Sequence, residues 1–376
     1  MGSMKFLDAK KISDIKQLAI PEREQGVTRT YYSYPAKFLA KLPRGLISRF
    51  TSEGDLVLDP FVGGGTTGLE AMILNRKFIG YDINPFAIFV SKVKTTYIEP
   101  ERLNKELIIL SQDRSTFSEG SNVVLDQEDK ICLGPQISSE IESLASKIGK
   151  IRPENIQQFF KLALIHSVKI IGRRDFENRK GEQIGSIYPI FERKSHKMIR
   201  NMADLPRYSQ YTPKFVQSSS QNLDIIQNND VDLIIGSPPY KDKDIEYQQL
   251  QIQRRSLRKS KRTEIISKLL GTQPLHRSIL CWTGEKGEVY WKTSIEILKE
   301  CFRVLKPGNF GFFWTGFKSP TDAEKYCEQL TYIGFQLVTI IPVELSHDRS
   351  ASSRSTHHGR PTNMMSFDSL FIVQKL

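Results

Sequence analysis

Leu56-Val-Leu-Asp-Pro-Phe-Val-Gly-Gly-Gly-Thr-Thr67 is the stretch that decides the fold class. An apolar, β-branched run stops abruptly in residues that turn the backbone tightly, which is how a buried parallel strand ends at a ligand-binding edge. Residues 55 to 59 read as the strand, Gly63-Gly-Gly65 as the turn and Thr66 to Leu74 as the helix that follows. The helix start then offers free N–H groups to an anionic or polar ligand. A second strand, Lys77 to Asp82, ends in an acid nineteen positions after Gly63. At about that spacing a carboxylate accepts hydrogen bonds from ribose hydroxyls in a dinucleotide-type βαβ unit. Asp82 alone, with Asn84-Pro85 just after it, would read equally as a turn acid. Strand, glycines, helix, strand and acid together predict an α/β fold holding a nucleotide-like cofactor.

A second stretch far downstream, Val231-Asp-Leu-Ile-Ile-Gly-Ser-Pro-Pro-Tyr240, repeats the pattern of an apolar strand ending in a turn. Ser237-Pro238-Pro239-Tyr240 supplies no acid, thiol or imidazole as a nucleophile. Two prolines remove two N–H donors and stiffen the loop, leaving the carbonyls of Ser237 and Pro238 and the Ser237 hydroxyl as acceptors. The Tyr240 ring can stack on a planar group. Such a loop suits an exocyclic amino group on a nucleobase, whose lone pair is delocalised and poorly nucleophilic. Acceptors on its N–H bonds draw the nitrogen towards tetrahedral geometry and steady the positive charge that grows during attack. A base inside a duplex reaches such a pocket only when flipped out.

The rest of the 376 residues is read against that pair. Thr28 to Phe38 is an aromatic cluster with Pro35 holding Tyr34 extended, so it reads as a turn stapled to the helix Leu39 to Phe50. Residues 95 to 214 interrupt the alternation. Ile137 to Ile148 and Ile156 to Ile171 look helical, and Gly172 to Met202 reads as basic and irregular. A stretch of this size is a subdomain rather than a loop. Lone His166 reads as packing or surface, because no metal-type residue sits at i+3 or i+4. Alternation resumes with strands at Lys214 to Ser219 and Val231 to Gly236, then a helix over Val289 to Leu305, stopped by Lys306-Pro-Gly308. A strand at Phe310 to Trp314, a helix at Thr321 to Ile333, and strands at Phe335 to Leu345 and Ser369 to Lys375 complete the pattern. Gln253 to Arg262 holds six basic residues (Arg254, Arg255, Arg258, Lys259, Lys261 and Arg262) and no acid, and beside a candidate active site it is expected to meet phosphates.

Lys and Arg number 54 against 42 Asp and Glu, a formal charge of +12 that favours a polyanionic partner. Cys132, Cys281, Cys301 and Cys327 are too scattered for a disulfide framework or a zinc site, so no metal is expected. Gly2 and Ser3 ahead of Met4 read as an expression remnant. With no signal pattern and no apolar run of membrane-spanning length, the expectation is a soluble cytoplasmic protein without a membrane partner.

Asp59-Pro-Phe-Val-Gly-Gly-Gly-Thr-Thr67 and Ser237-Pro-Pro-Tyr240 resemble the cofactor and catalytic motifs of the DNA amino-methyltransferases, which make N4-methylcytosine or N6-methyladenine. The resemblance implies a Rossmann-like class I methyltransferase fold with a seven-stranded mixed sheet, helices on both faces, an antiparallel last strand and S-adenosylmethionine as cofactor. Tyr34-Pro-Ala-Lys-Phe38 is similar to the motif that closes over the methionine part of that cofactor. It implies cofactor contacts from Tyr34, Pro35, Lys37, Phe38, Asp59, Pro60, Phe61, Gly63, Gly65, Thr66, Thr67, Asp82 and Ile83. Ser219-Ser220 falls where the family often has an Asp beside the adenine, and Ser220 is the candidate there. The expected division is a catalytic core of 4–94 and 215–376, an inserted helical and basic subdomain at 95–214, and a basic DNA-contacting insertion at 241–287.

Serine at the head of the catalytic motif resembles the cytosine-N4 enzymes more than the adenine-N6 enzymes, which tend to carry Asp or Asn. The expected activity is N4 methylation of cytosine in double-stranded DNA, within a prokaryotic restriction-modification or related system and with a cognate restriction endonuclease as a partner. The alternatives are adenine-N6 methylation, an RNA base methyltransferase, and a catalytically silent DNA-binding subunit.

Overall fold

The computed structural model describes residues 7–18, 27–32, 34, 38–112, 114, 124–173, 185–205, 209–241, 250–252, 261–272, 287–317, 319–342 and 367–376. The chain begins with α1 (Ala9–Leu18), a short 3-10 turn (Val27–Thr30), α2 (Lys41–Phe50), β1 (Leu56–Asp59), α3 (Thr66–Ile73), β2 (Lys77–Tyr81) and α4 (Pro85–Thr95). Five helices follow before the next strand: α5 (Pro100–Gln112), α6 (Gln127–Leu133), α7 (Pro135–Lys150), α8 (Glu154–Arg173) and α9 (Tyr188–Met202). Next come β3 (Lys214–Val216), β4 (Val231–Gly236), a hairpin of β5 (Leu250–Ile252) and β6 (Lys261–Thr263), and α10 (Ile265–Leu270). The chain ends with α11 (Glu288–Val304), β7 (Leu305–Phe317), α12 (Pro320–Ile333), β8 (Phe335–Pro342) and β9 (Phe367–Lys375).

The seven strands of the main sheet lie in the order β3-β2-β1-β4-β7-β9-β8, all parallel except β9. Strand order reverses between β1 and β4, where Val57 pairs with Leu233 and Leu58 with Ile234. One face buries Val57, Leu233, Ile235, Phe312 and Trp314 against Ile15 of α1 and Leu42, Leu46 and Ile47 of α2. The other buries Leu58, Ile234, Phe313 and Phe371 against Ile297, Leu298 and Cys301 of α11 and Tyr326 and Leu330 of α12. Near-continuous apolar strands are what a sheet covered on both faces requires. The Lys306-Pro-Gly308 stop does end α11, but the chain passes straight into β7, and the register shift opposite Asp232 absorbs these residues inside the strand.

The segment expected to be irregular before Met202 is largely helical. Tyr188–Met202 forms α9 with Pro189 in its first turn and Tyr188, Phe191, Ser195, Met198 and Met202 buried along one face. Dense Lys and Arg on the outer face hid that period. The aromatic cluster also packs differently from a staple on α2. Tyr31 meets Phe159 edge-on at 5.9 Å and Tyr32 meets Phe86 and His166 edge-on, so the cluster belongs to α4 and α8.

The two insertions touch. Ile265, Ile266 and Leu269 of α10 share the core of α5 to α9, β5 lies against α8, and Lys268 bridges Asp126 and Asp129 at 2.5 Å each. Among the described residues, Cys132 and Cys301 are buried free thiols, Cys327 is a partly buried one, and no helix is long and apolar enough to cross a membrane. Cys281 lies outside the described residues.

Glu70 of α3 is fully buried and joins the entry segment to the core. Arg29 donates to it through Nε at 2.6 Å and Nη2 at 3.0 Å, and Arg44 of α2 donates at 2.8 Å. Removing one side of a buried ion network leaves the opposite charge poorly solvated. Glu70→Ala is expected to cost about 3–5 kcal/mol, read from urea denaturation, with Arg44→Ala much milder because that side chain is half exposed.

Candidate active site

The reversal of strand order places the loop after β1 and the loop after β4 side by side at the carboxyl edge of the sheet, the usual ligand crevice of an open α/β sheet. Contact between them is close. A Cβ added at Gly236 would stand 3.1 Å from Pro60 Cδ and 3.2 Å from Phe61 Cδ2, so even a methyl group there would need its neighbours to give by a few tenths of an ångström. Ser220, just past β3, donates its hydroxyl to Pro60 O at 2.5 Å and fixes the start of the glycine loop.

The glycine loop itself is held from three directions. Gly63 and Gly65 have φ of +49° and +70°, a region that disfavours side chains, and a Cβ at Gly65 would stand 2.9 Å from the Ser91 Cα on α4. Asp82 Oδ2 accepts from Gly63 N and Oδ1 from Asn84 N, both at 2.8 Å. Asn84 caps α4 by accepting from Phe86 N at 2.9 Å and donates through Nδ2 to Tyr34 Oη at 2.9 Å. Buried Lys94 donates to Gly64 O at 2.7 Å. Asp59 accepts from Phe61 N at 2.9 Å, and burial pushes its carboxyl up to about 7. Burial likewise raises Asp82 to about 6, against the two N–H donors that favour its charged form.

Across the crevice, Ser237 Oγ donates to Trp314 O of β7 at 3.0 Å. The Trp314 ring meets Phe38 edge-on at 6.2 Å. Tyr240 is partly buried and packs with the same apolar cluster as Trp314 and Phe38. Lys241 pairs with Asp322 of α12 at 3.0 Å and anchors the far end of the loop.

The segment carrying Tyr34 is clamped by the inserted helices. Tyr31 Oη donates to Met198 O at 2.8 Å, Asn201 Nδ2 to Thr30 Oγ1 at 2.8 Å, and Lys194 Nζ to Thr30 O at 3.2 Å. Lys169 Nζ lies 4.2 Å from the centre of the Tyr32 ring. Burial lowers Lys194 to about 7, with Lys197, Lys94 and Lys169 adding to the effect.

The structure thus gathers Tyr34, Phe38, Asp59 to Thr67, Asp82, Ile83, Ser220 and Ser237 to Tyr240 around one sheet edge. Pro35, Lys37, Arg254, Arg255, Arg258 and Lys259 lie outside the described residues, while Lys261 and Arg262 sit on β6, in the hairpin packed on the inserted helices. Asn84 and Lys94 were missed by sequence reading. Asn84 looked like a plain turn residue, and Lys94 carried only the signal of a lysine on the buried side of an apolar helix.

Residues 6–92 match the model of a DNA methylase family of the N6/N4 type. The chain is 23% identical to the Type II methyltransferase M.MvaI of Kocuria varians over 81% of its own length and 80% of that protein's. Both matches are to DNA methyltransferases, so the chain is similar to the DNA amino-methyltransferases. Other family relatives match locally: M.MjaII of Methanocaldococcus jannaschii is 30% identical over 27% of this chain and 19% of its own. Among solved structures, a TehB-like S-adenosylmethionine-dependent methyltransferase from Corynebacterium glutamicum is similar over 89% of this chain and 87% of its own, with 10% identity and a TM-score of 0.34, too remote to bear on the site.

S-adenosylmethionine, the methyl donor of this methyltransferase, supplies an electrophilic methyl group on a sulfonium centre. The site fits it. Gly63 and Gly65 hold the left-handed turn that lets the loop pack against Ser91 of α4, the N-terminus of α3 carries no side-chain cap, and Asp82 stands just after β2 with lone pairs beyond those used by Gly63 and Asn84.

Both acids have folded values above the unfolded 3.8, so the folded state holds protons that the unfolded chain has released. Their contribution to stability is therefore full below about pH 4 and is lost as pH rises through about 6 for Asp82 and 7 for Asp59. Ribose hydroxyls donate best to an ionised carboxylate, so the opposite slope is expected for cofactor binding. Affinity should rise with pH through about 6, read by calorimetry, and Asp82→Asn should remove that component of the rise.

Proposed function

We propose that the protein transfers a methyl group from S-adenosylmethionine to the N4 amino group of a flipped-out cytosine at specific sites in duplex DNA. The observation that carries this reading is the Ser237 hydroxyl. Its hydrogen is committed to Trp314 O, so towards the crevice the oxygen offers only lone pairs. Together with the carbonyls of a loop stiffened by Pro238 and Pro239, it forms an acceptor site for an N–H-bearing group. Tyr240 supplies a ring face on which the extruded base stacks.

In this reading the cofactor lies along Phe61 to Thr67 and Asp82, under the closing segment Tyr34 to Phe38, with Ser220 acting through Pro60 rather than on the adenine. Catalysis is then mainly positioning, with the amino nitrogen held in line and its growing charge met by fixed acceptors. The inserted helices and the hairpin packed on them act as one lobe that reads the DNA. The net charge of +12 supports a phosphate-rich partner. The named Type II relatives support a role in a cytoplasmic restriction-modification system, with a cognate endonuclease cutting the same sites.

Methylating plasmid DNA in vitro and identifying the modified nucleoside by mass spectrometry tests the base. N4-methylcytosine is expected, and 6-methyladenine alone would overturn the choice. Ser237→Ala and Tyr240→Ala should each lower turnover at least about a hundredfold while leaving cofactor affinity within about twofold. For the basic run, replacing Arg254, Arg255 and Arg258 by Ala should weaken DNA binding and reduce the log–log salt slope by about 2–3. An unchanged slope would make that run a solvated face.

A further inference from the structure

The serine-type motif raises a question that the sequence does not answer: which group receives the proton when the amino nitrogen is methylated. As that nitrogen attacks, its lone pair becomes the new N–C bond and the old S–C pair stays with sulfur. Positive charge moves from sulfur to nitrogen, and one N–H proton must leave. Ser237 is a poor recipient, because its hydroxyl is neutral and already donating to Trp314 O.

We infer that Asp368 is the carboxylate of the target-base pocket, accepting an amino N–H bond and then the departing proton. Asp368 is the second residue of β9 and pairs with Gly316 of β7, two residues beyond Trp314. Alternation along β9 puts Asp368 on the face of Leu370 and Ile372, which is also the face of Trp314 and the cluster that packs Tyr240. The space over Gly316 brings the two groups together. A Cβ built there would stand 2.1 Å from Asp368 Oδ1, 2.7 Å from Tyr240 Cε1 and 3.0 Å from Tyr240 Cδ1. Only glycine lets the carboxylate and the catalytic ring share that spot.

Asp368 is 3% exposed and lies against Tyr240 on the strand face that also carries Leu370 and Ile372, so its carboxylate sits beside the ring that stacks on the base in the proposed reading. Asp368 thus supplies the acid missing from the head of the motif, delivered from the antiparallel strand two places along the sheet from β4. The N4-methylated product is left neutral, and the carboxylate returns its proton to water when the base withdraws.

This inference rests on the proposed methylation of a DNA base, so the wild-type full-length chain is assayed first with plasmid DNA and radiolabelled S-adenosylmethionine. Absence of transfer by the wild type would count against the proposed function, not against Asp368. With transfer established, Asp368→Asn, which keeps an acceptor but takes no proton, is expected to lower kcat by about 10²–10⁴. Cofactor affinity by calorimetry and plasmid affinity by gel shift should stay within about twofold. Asp368→Glu should recover at least about a tenth of the wild-type kcat, and Ser237→Asp in the Asn background should raise kcat about tenfold or more by restoring an acid at the head of the motif. A kcat for Asp368→Asn within threefold of wild type would overturn the assignment, as would a loss confined to KM. Should the Asn variant fail to fold, Asp368→Ser is judged by the same criteria.

Discussion

Everything in this structure depends on the parallel pairing of β1 with β4. Their adjacency at the point where strand order reverses puts two loops that are far apart in sequence within van der Waals reach. Pro60 and Phe61 lie against Gly236, with no room to spare for a methyl group at that glycine. The crevice exists because buried β-branched residues must be covered on both faces, and two parallel strands of one sheet end at the same edge.

Around that edge the protein uses hydrogen bonds to position backbone rather than to bind directly. Asp82 is the clearest case, since it orders Gly63 and Asn84 while keeping lone pairs for a ligand. Asn84 then carries the order to α4 and to the Tyr34 hydroxyl, and Lys94 steadies Gly64 from below. Tyr34 is thereby tied to the glycine loop through Asn84, while Thr30, Tyr31 and Tyr32 just before it are held by α8 and α9. Glu70, between Arg29 and Arg44, fastens the same segment to α3.

The loop after β4 is built on a different logic. Ser237 donates to Trp314 O, the Trp314 ring meets Phe38, and Tyr240 lies against Asp368 across Gly316, so that loop, β7 and β9 come together at one place. Serine, prolines and an aromatic ring give shape and acceptors without a strong base, which is consistent with a reaction in which the attacking nitrogen belongs to the substrate.

The sequence by itself determined the alternation of strands and helices, the glycine loop, the acid after β2 and the Ser237 to Tyr240 loop. All of these are local signals, written in the period of apolar residues and in residue types that few backbones accept. It also determined the helices at Ile137 to Ile148 and Ile156 to Ile171, but not α9, where basic residues on the outer face masked the apolar stripe. Only the tertiary structure decided which partners Asn84, Lys94, Ser220 and Glu70 hold and that Asp368 lies against Tyr240, because each contact spans a distance along the chain that no spacing rule encodes. It alone showed the second insertion packed on the first and the aromatic cluster buried by α4 and α8. The physical reason is the same throughout: strand ends and turns are fixed by a residue's own backbone, whereas a hydrogen bond or a shared cavity is fixed by which surfaces the whole fold brings together.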